Sequence, residues 1–321
     1  MNAILYLVIP CYNEEAVLQI TAKKLFEKIT TMMKNETISK DSKILFVNDG
    51  SRDKTWNIIE ELHNQNDIFS GINLSRNEGH QHALLAGLIT SKGIADVTIS
   101  LDADLQDDVN VIDKFIKQYY DGSDIVYGVR SSRQTDTFFK RTTALTFYKL
   151  MNRLGADIVY NHADYRLMSK RALDALDQFK EVNLFLRGLV PLIGFKSSIV
   201  EYERHERFAG ESKYPLKKML AFALDGITSL SIKPIRLITG LGFFIFFISF
   251  VASAYIFIVK FFGETVTGWT SLTLSIWMIG GIQLLSLGVI GEYIGKIYTE
   301  SKHRPRFIIS DKLIRTNKNN I

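Results

Sequence analysis

The chain has 321 residues, and its 39 lysine and arginine residues against 34 acidic ones give a formal net charge of only +5. This small excess argues against binding to long nucleic acids, and a hydrophobic content of 46% excludes a disordered protein. The single cysteine, Cys11, excludes an internal disulfide and a thiolate metal cluster, which fits a reducing compartment. Residues 1–6 lack the features of a signal peptide and predict a first strand.

Short apolar runs alternate with amphipathic stretches over the first 130 residues, a pattern typical of βαβ units. The predicted strands cover residues 5–9, 44–47, 72–74, 97–101 and 125–129. The predicted helices cover residues 16–33, 55–63, 82–91 and 109–120. This alternation predicts an α/β fold with a mostly parallel, Rossmann-like sheet that is covered by helices. Such sheets bind their ligands beyond the carboxyl ends of the strands.

Three of the predicted strands end in polar, acidic loops, which are residues 10–15 (PCYNEE), 48–53 (NDGSRD) and 102–106 (DADLQ). Asp102 and Asp104 are spaced so that both carboxylates can reach one hard cation, and Gln106 adds a neutral oxygen. The sequence has no Walker A or GxGxxG element, so phosphates have to be held by a metal and by side chains. We therefore expect Mg²⁺ or Mn²⁺ to bridge a nucleoside diphosphate here.

The C-terminal third of the chain is far more apolar. Residues 237–259 carry no charge and a second uncharged run begins at 265, which predicts a hairpin of two transmembrane helices at about 237–259 and 268–291. A helix of the first length measures about 34 Å, enough to cross a bilayer. Basic residues are concentrated after the second run, so the positive-inside rule places both termini in the cytoplasm. A hairpin buried in a protein core is the alternative.

The sequence thus predicts four segments: a cytoplasmic catalytic domain (1–203), a basic loop with an interfacial amphipathic helix (204–235), a transmembrane hairpin (236–296) and a basic cytoplasmic tail (297–321). Apolar stripes at 214–233 and 184–195 predict helices that lie in the membrane interface, or else pack in the core or against other subunits. The tail is expected either to follow the membrane surface or to extend into solvent.

Together the motifs resemble those of glycosyltransferase family 2, within it the bactoprenol glucosyltransferases and dolichol-phosphate mannose synthases. The matching motifs are residues 8–15 (VIPCYNEE), 47–51 (VNDGS), 77–79 (NEG), 102–107 (DADLQD), 164–168 (DYRLM), 207–214 (RFAGESKY) and 291–295 (GEYIG). They cover nearly the whole chain. The resemblance implies a GT-A nucleotide-sugar domain and inverting transfer of a sugar from a nucleotide donor to a polyprenyl phosphate, such as undecaprenyl phosphate, in the inner membrane.

The resemblance also implies roles for single residues. The nucleotide sugar would be bound by Pro10, Tyr12, Asn13, Glu14, Asp49, Asp102, Ala103, Asp104 and Arg130. The metal would be held by Asp102, Asp104 and Gln106. The acceptor phosphate would be bound by Arg130, Arg207, Ser212 and Lys213, and the catalytic residues would be Asp102, Asp164, Arg207 and Lys213.

Elementary chemistry limits the work of the acidic residue at position 164. A phosphate monoester has a second pKa near 6, so the acceptor oxygen is mostly deprotonated at neutral pH. We therefore expect Asp164 to position groups or to stabilise positive charge on the sugar rather than to abstract a proton.

The basic stretch around Gly210 would close over phosphate, or else form a solvated linker. His80 and His82 are expected to be surface or helix-cap groups.

The resemblance implies UDP-glucose as the expected donor, with UDP-N-acetylglucosamine and GDP-mannose as the alternatives. The expected partners are the lipid acceptor, the membrane, further copies of the chain, and a flippase and a later transferase that use the product. A processive polysaccharide synthase is disfavoured because the chain lacks a Gln-x-x-Arg-Trp motif. A noncatalytic nucleotide-sugar sensor stays open, since it would bind the donor without forming product.

Overall fold

The computed structural model describes residues 2–130, 162–203 and 268–315, together with a few positions between 235 and 251. The chain divides into two compact units. The described residues of the first unit are 2–130, 162–203 and 304–315, and the second contains residues 268–303. The predicted helix at 214–233 lies outside the described residues, as does most of the predicted span at 237–259.

The first unit is an α/β fold. Its strands are β1 (Leu5–Cys11), β2 (Lys43–Asn48), β3 (Phe69–Leu74), β4 (Val97–Ser100), β5 (Ile125–Arg130), β6 (His162–Ser169), β7 (Ser197–Tyr202) and β8 (Ile309–Leu313). Its helices are α1 (Leu18–Lys34), α2 (Thr55–Gln65), α3 (His80–Ser91), α4 (Ile112–Tyr120), α5 (Lys170–Leu176) and α6 (Leu186–Leu192). A 3₁₀ turn at Val109–Val111 precedes α4. All strands and helices predicted in the first 130 residues are confirmed.

The described strands form one sheet in the order β7-β5-β6-β4-β1-β2-β3-β8. β1 to β5 and β7 run in one direction, and β6 and β8 run in the opposite direction. The predicted mostly parallel sheet is therefore confirmed. Because β6 is reversed, its first residues lie at the edge where β4 and β5 end. This reversal brings residues from a later part of the chain to the ligand-binding edge.

Alternate residues of the central strands enter two separate cores, one on each face of the sheet. Leu5, Leu7 and Ile9 pack with α1, α2 and α4, whereas Tyr6 and Val8 pack with α3, α5 and α6. Full burial of each large aliphatic side chain contributes about 1.5–3 kcal/mol, so the two cores make the sheet a rigid platform. The loops at its carboxyl edge are built on that platform.

A glycine lets α3 lie close to the sheet. A Cβ at Gly87 would come within 2.4 Å of Val8 Cγ1 and 2.7 Å of Val47 Cγ2. Even alanine would therefore force the helix away from β1 and β2. This close packing fixes where the first residues of α3 stand relative to the carboxyl edge.

The apolar stripe predicted at 184–195 forms α6 and packs into the core. Leu186 and Val190 join the core on the α3 face, and Phe185 and Leu189 are also buried. Of the three expectations for this stripe, core packing is the one observed. The reason is that β6 and α5 leave an apolar surface beside α3, which α6 covers.

Part of the predicted basic tail is an integral part of the first unit. β8 pairs antiparallel with β3, and the amide of Ser75 donates a hydrogen bond to the carbonyl of Ile308 over 2.9 Å. Arg306 Nη1 donates to the carbonyl of Phe179 over 2.7 Å. The expectation of a tail extended into solvent is wrong for this segment, whereas its location at the membrane surface stays a prediction. Its basic residues alternate with apolar ones such as Leu313, which packs against the core.

The second unit is described through α7 (Trp269–Ser301), a helix of 33 residues. It starts where the second span was predicted and continues about ten residues beyond position 291. In the parts of the chain that the structure describes, no helix is both long enough and apolar enough to cross a membrane.

Candidate active site

The loops that follow β1 and β2 are tied together at the carboxyl edge. The amide of Asp49 donates to the carbonyl of Cys11 over 2.9 Å. The amide of Asn13 donates to Ser51 Oγ over 3.0 Å, and Asn13 Oδ1 accepts from the amide of Arg52 over 2.9 Å. Asn13 has a φ of 55°, a left-handed conformation that asparagine tolerates well. Asn13, a predicted nucleotide contact, thus also joins the two loops.

The other predicted nucleotide contacts around the end of β1 differ in accessibility. Pro10 is buried within the strand, Glu14 is half-buried, and Tyr12 is exposed. The amide of Glu14 donates to Thr55 Oγ1 over 2.9 Å, which holds the start of α1 against α2. An exposed ring at this edge can stack on a planar base, whereas Pro10 can only support the loop from beneath.

Asp49 organises the approach to α3. Its Oδ1 accepts from the amide of Glu78 over 2.8 Å, and its Oδ2 accepts from the amide of Gly79 over 3.0 Å. Burial raises the pKa of Asp49, and these two hydrogen bonds oppose the rise. Gly50 has a φ of 60°, and a Cβ there would lie 2.5 Å from the main chain of Arg76. The Asp-Gly pair therefore locks two loops together in addition to any contact with a nucleoside.

The acidic loop after β4 has a fixed conformation. Thr21 Oγ1 donates to the carbonyl of Ala103 over 2.7 Å, and the amide of Gln106 donates to Asp104 Oδ1 over 3.1 Å. Leu105 turns the chain with a φ of 56° and buries its side chain. The predicted metal ligands Asp104 and Gln106 thus belong to one tight turn, and Asp104 is itself buried.

Asp102 stands in an environment that is rich in carboxylates. Burial is the main reason that the pKa of Asp102 is raised to about 6, and the imidazole of His80 opposes the rise. The carboxylates of Asp104, Asp107 and Asp164 add to it. Within the described residues, no three His, Cys, Asp or Glu side chains form a ready-made metal site. Two carboxylates and an amide fit Mg²⁺ or Mn²⁺ when phosphates supply further oxygens.

A buried polar network lies behind the acidic loop. Tyr202 donates from its hydroxyl to Asp107 Oδ1 over 2.5 Å, and Arg130 Nε donates to the same hydroxyl over 3.3 Å. Arg130 Nη2 also lies 3.6 Å from Asp107 Oδ1. Tyr165 donates to the carbonyl of Asp108 over 3.1 Å. Arg130, predicted to bind phosphate, is therefore at the correct edge and is held there by β7 and the acidic loop.

The antiparallel pairing of β6 with β4 brings Asp164 to the acidic loop. Ser100 and Arg166 are the last pair of this register, and Asp102 and Asp164 each lie two residues beyond that pair, at the same edge of the sheet. Ser100 Oγ also donates to the carbonyl of Asp164 over 2.5 Å. The two acidic residues that the resemblance assigns to catalysis therefore face each other across neighbouring strands.

Three cationic or ionisable side chains surround the Asp164 carboxylate. Arg166 Nη2 donates to Oδ1 over 2.8 Å. Arg187 donates from Nη2 to Oδ2 over 3.0 Å and from Nε to Oδ1 over 3.3 Å. His80 Nε2 lies 3.5 Å from Oδ2 and 3.7 Å from Asp102 Oδ1. Burial alone would raise the pKa of Asp164, but Arg187, His80 and Arg166 hold it well below its ordinary value.

The start of α3 contributes more than the sequence indicates. His80 lies between the carboxylates of Asp102 and Asp164, and burial lowers its pKa less than these two carboxylates raise it. Gln81 Oε1 accepts from the amide of Leu186 over 2.8 Å, and His82 Nε2 lies 3.2 Å from the carbonyl of Val182. His80 is exposed and opens α3, as predicted for a surface residue at a helix start, but it also belongs to the site, which was not predicted. Its position after the NEG motif, at the end of a strand and loop, was the available signal.

Arg187 is the second site residue that sequence reasoning misses. It lies in the first turn of α6, inside a stripe that shows only apolar periodicity. The predicted phosphate-binding residues Arg207, Ser212 and Lys213 lie outside the described residues. The structure therefore brings together Asp102, Asp104, Asp164 and Arg130 of the predicted set and adds His80, Arg166 and Arg187.

Comparison with known families agrees with this arrangement. The family model "Glycosyl transferase family 2" matches residues 6–177, more than half of the chain. The chain belongs to glycosyl transferase family 2. It is a glycosyltransferase, and its first unit has the GT-A-like α/β fold that the resemblance implied. A second model, "GtrB C-terminal hairpin", matches residues 233–297, the segment in which the sequence predicts a hairpin.

Relatives of this glycosyltransferase extend over nearly all of its length. It is 56% identical to the uncharacterized glycosyltransferase YkoT of Bacillus subtilis over 95% of this chain and 91% of that protein. It is 41% identical to the bactoprenol glucosyl transferase of Shigella phage SfV over 95% of this chain and 98% of that protein. Among solved structures, mannosyl-3-phosphoglycerate synthase of Rubrobacter xylanophilus superposes on 73% of this chain and 74% of its own chain. The sequence identity is 15% and the TM-score is 0.49, so this similarity carries no information about the site.

Proposed function

We propose that this glycosyltransferase moves a hexose from a nucleotide sugar, UDP-glucose in the first instance, to a polyprenyl phosphate, with inversion at the sugar carbon. The observation that carries the proposal is its 41% identity, over almost the entire length of both chains, to a protein named bactoprenol glucosyl transferase. The same stretch contains the two facing carboxylates, Asp102 and Asp164.

The environment of Asp164 supports a reaction that needs no general base. Its carboxylate is ionised at neutral pH because Arg187, His80 and Arg166 keep its pKa low. A base with so low a pKa would take up a proton poorly. An acceptor phosphate, in contrast, arrives mostly deprotonated and can attack the sugar carbon directly. Asp164 therefore serves to position the groups around it.

The environment of Asp102 supports a role for a divalent cation. Asp102, Asp104 and Gln106 would hold Mg²⁺ or Mn²⁺, which would neutralise charge on the departing nucleoside diphosphate. Burial raises the pKa of Asp102 most, and neighbouring carboxylates raise it further; these carboxylates are the charge pattern that such an ion relieves. Arg130 stands at the same edge and can contact a phosphate oxygen through its planar guanidinium.

The apolar C-terminal region supports a location of the enzyme in the membrane. A polyprenyl chain stays in lipid because each CH₂ that leaves it costs about 0.8 kcal/mol, so the enzyme has to work at the membrane surface. Large apolar side chains on α7 are exposed, among them Leu272, Ile276, Leu284 and Leu287. We place the catalytic unit and both termini on the cytoplasmic side and the hairpin in the inner membrane. The lipid-linked product would then pass to a flippase and to a later transferase.

The direct test is an assay in membranes that contain the full-length protein. Undecaprenyl phosphate and Mn²⁺ or Mg²⁺ are supplied with a panel of radiolabelled donors, namely UDP-glucose, UDP-N-acetylglucosamine and GDP-mannose. Label that moves into the organic phase with UDP-glucose, and only in the presence of a divalent ion, is the expected result. Donor binding without labelled lipid would identify a sensor instead, and labelling from another donor would correct the sugar.

A further inference from the structure

Strand β8 brings a carboxylate to the side of the sheet that ends in the loop after β2. Asp311 of β8 pairs with Asn73 of β3, and Asn73 pairs with Asn48, the last residue of β2. Residues that pair laterally on adjacent strands project from the same face of a sheet. We call these three side chains the polar row.

The polar row is joined by hydrogen bonds that run in one direction. Asn48 Nδ2 donates to Asn73 Oδ1 over 2.7 Å, and Asn73 Nδ2 donates to Asp311 Oδ2 over 3.0 Å. Ser310 Oγ also donates to Asp311 Oδ2, over 2.8 Å. Each amide group thus donates toward β8, and the row ends on a carboxylate. Hydrogen bonds in such a series strengthen one another, and an ionised acceptor is the strongest terminus for it.

The polar row continues into the loop after β2, residues 48–53, which is expected to bind the nucleotide. Asn48 Oδ1 accepts from the amide of Ser51 over 3.4 Å. Ser51 Oγ accepts from the amide of Asn13 over 3.0 Å, and Asn13 Oδ1 accepts from the amide of Arg52 over 2.9 Å. A continuous series of contacts therefore leads from β8 to the loops that follow β1 and β2.

The two ends of the polar row differ in burial. Asn48 is only 2% exposed, so its amide depends on protein partners such as Asn73. Asp311 is exposed, and the hydrogen bonds from Asn73 and Ser310 lower its pKa. Asp311 is therefore ionised at neutral pH. Its carboxylate orients the amide group of Asn73, which in turn presents its oxygen to the buried amide of Asn48.

A second contact leads from the same segment to the same loop. The amide of Ser75 donates to the carbonyl of Ile308, the residue before β8, over 2.9 Å. The next residue, Arg76, lies against the loop so closely that a Cβ at Gly50 would be 2.5 Å from its main-chain carbon. The loop after β2 is therefore bounded by a part of the chain that is itself bonded to the segment of β8.

We propose that Asp311 and Asn73 are positioning residues for the nucleotide sugar, because through Asn48 they hold the loop at residues 48–53 in the conformation that binds the nucleoside. This inference rests on the proposed function. The two residues act through the loop. Asp311 would thereby contribute to the donor site although 238 residues separate it from Asn73 in the sequence.

The test uses the full-length protein in detergent or membranes and compares Asp311→Ala and Asp311→Asn with a matched control, Asp67→Ala. Asp67 forms an ion pair with Arg315, so it also attaches the segment of β8 to the sheet. It precedes β3, however, and thus lies at the end of that strand away from the loop. The control weakens the attachment of the segment and leaves the polar row intact.

Hydrogen–deuterium exchange measures the effect on the loops without any ligand. Peptides that contain the amides of Asn13, Ser51 and Arg52 are followed by mass spectrometry. Because these amides donate to acceptors that the polar row holds in place, we expect their exchange to become about three- to tenfold faster in Asp311→Ala, as for the loss of one hydrogen bond. In Asp67→Ala it should stay at the wild-type rate.

Initial rates measure the effect on the donor site, with nucleotide sugar and polyprenyl phosphate varied in turn. We expect Asp311→Ala to raise the KM for the nucleotide sugar by about three- to tenfold and to weaken UDP binding by the same factor. The KM for the lipid should stay within twofold of wild type. Asp311→Asn keeps an oxygen that can accept from Asn73, and should stay close to wild type, as should Asp67→Ala.

An exchange of chemical groups between the two positions gives a second test. Asn73→Asp sets two carboxylates against each other and should raise the KM for the nucleotide sugar as Asp311→Ala does. Adding Asp311→Asn restores a donor and an acceptor, so the double variant should recover most of the loss. If Asp311→Ala does not fold, as judged from its unfolding temperature, this pair decides, and a lack of recovery would overturn the proposal.

Three other results would also overturn it. They are wild-type exchange of the loop amides in Asp311→Ala, a nucleotide-sugar KM within twofold of wild type or a fall in kcat alone in that variant, and equal changes in Asp67→Ala, which would mean that any loosening of β8 suffices. If the wild-type protein transfers no sugar, the proposed function fails, whereas exchange still tests the inference. Faster exchange of the loop amides in Asp311→Ala alone would then support it, and unchanged exchange would refute it.

Discussion

Two carboxylates that face each other across neighbouring strands have opposite electrostatic surroundings. Asp102, in the loop after β4, stands among other carboxylates, and burial with these neighbours raises its pKa to about 6. Asp164, at the start of β6, is half-buried, yet Arg187, His80 and Arg166 hold its pKa well below the ordinary value. The difference teaches that one side of the site is rich in carboxylates, whereas cationic side chains on the other side hold their carboxylate ionised. A divalent ion would fit the first side.

The largest effect is expected from changes on the carboxylate-rich side. Asp102→Asn and Asp104→Ala should each reduce metal-dependent transfer by about two to three orders of magnitude, as when a major electrostatic group is removed. The rate is measured at saturating donor and lipid over a range of Mn²⁺ concentrations. Asp113→Asn is the control, because Asp113 is an exposed carboxylate on α4 that pairs with Lys28. A wild-type rate in either site variant would remove the metal assignment.

The second effect concerns the stability of the cation-rich side. Asp164→Ala leaves Arg166 buried without its carboxylate, and we expect it to lower the free energy of unfolding by about 3–5 kcal/mol. Urea denaturation of the purified protein measures this change. Asp67→Ala is the matched control, because Asp67 and its partner Arg315 are 63% and 54% exposed, and such pairs contribute about 1 kcal/mol at most. Equal losses in the two variants would mean that Arg166 finds another partner.

The third effect is a dependence of stability on pH that belongs to Asp164. Its pKa is lower in the folded protein than in the unfolded chain, where it is about 3.9. The unfolded chain therefore binds the proton first as pH falls, so the stabilisation is complete above about pH 5 and is lost as pH falls through the folded pKa. Asp164→Asn should reduce this acid sensitivity. Its transfer rate should not recover at high pH, and a recovery there would indicate that Asp164 acts as a base.

The smallest effect is expected from a substitution in the polar network behind the acidic loop. Tyr202→Phe removes the hydroxyl that joins Asp107 to Arg130 and should lower the free energy of unfolding by about 1–2 kcal/mol, with a loss of only a few-fold in rate. Tyr120→Phe removes a hydroxyl that bonds to the main chain of Thr37, away from the site, and should change stability without changing the rate. A rate loss as large as that of Asp102→Asn would give Tyr202 a direct catalytic role.

Local sequence patterns were sufficient for the first 130 residues. Continuous apolar runs such as residues 5–9 and helical stripes such as 55–63 each form the element that they predict, because a strand buried on both faces is apolar throughout and a helix repeats its buried face at every turn. The acidic loop with Asp102 and Asp104 could likewise be placed at a strand end from the sequence alone. The resemblance to the family predicted that Asp164 belongs to the site, whereas no local sequence pattern around Asp164 indicates this.

Only the tertiary structure shows what surrounds that carboxylate. The reversed direction of β6 sets Asp164 opposite Asp102, and the close packing of α3 and α6 adds His80 and Arg187. β8 joins β3 from more than two hundred residues away in sequence. These features arise from pairings between distant segments, whose partners leave no periodic signal in either segment. The sequence by itself thus determined the strands, helices and acidic loops, whereas the charges that face one another across the site were decided by the packing.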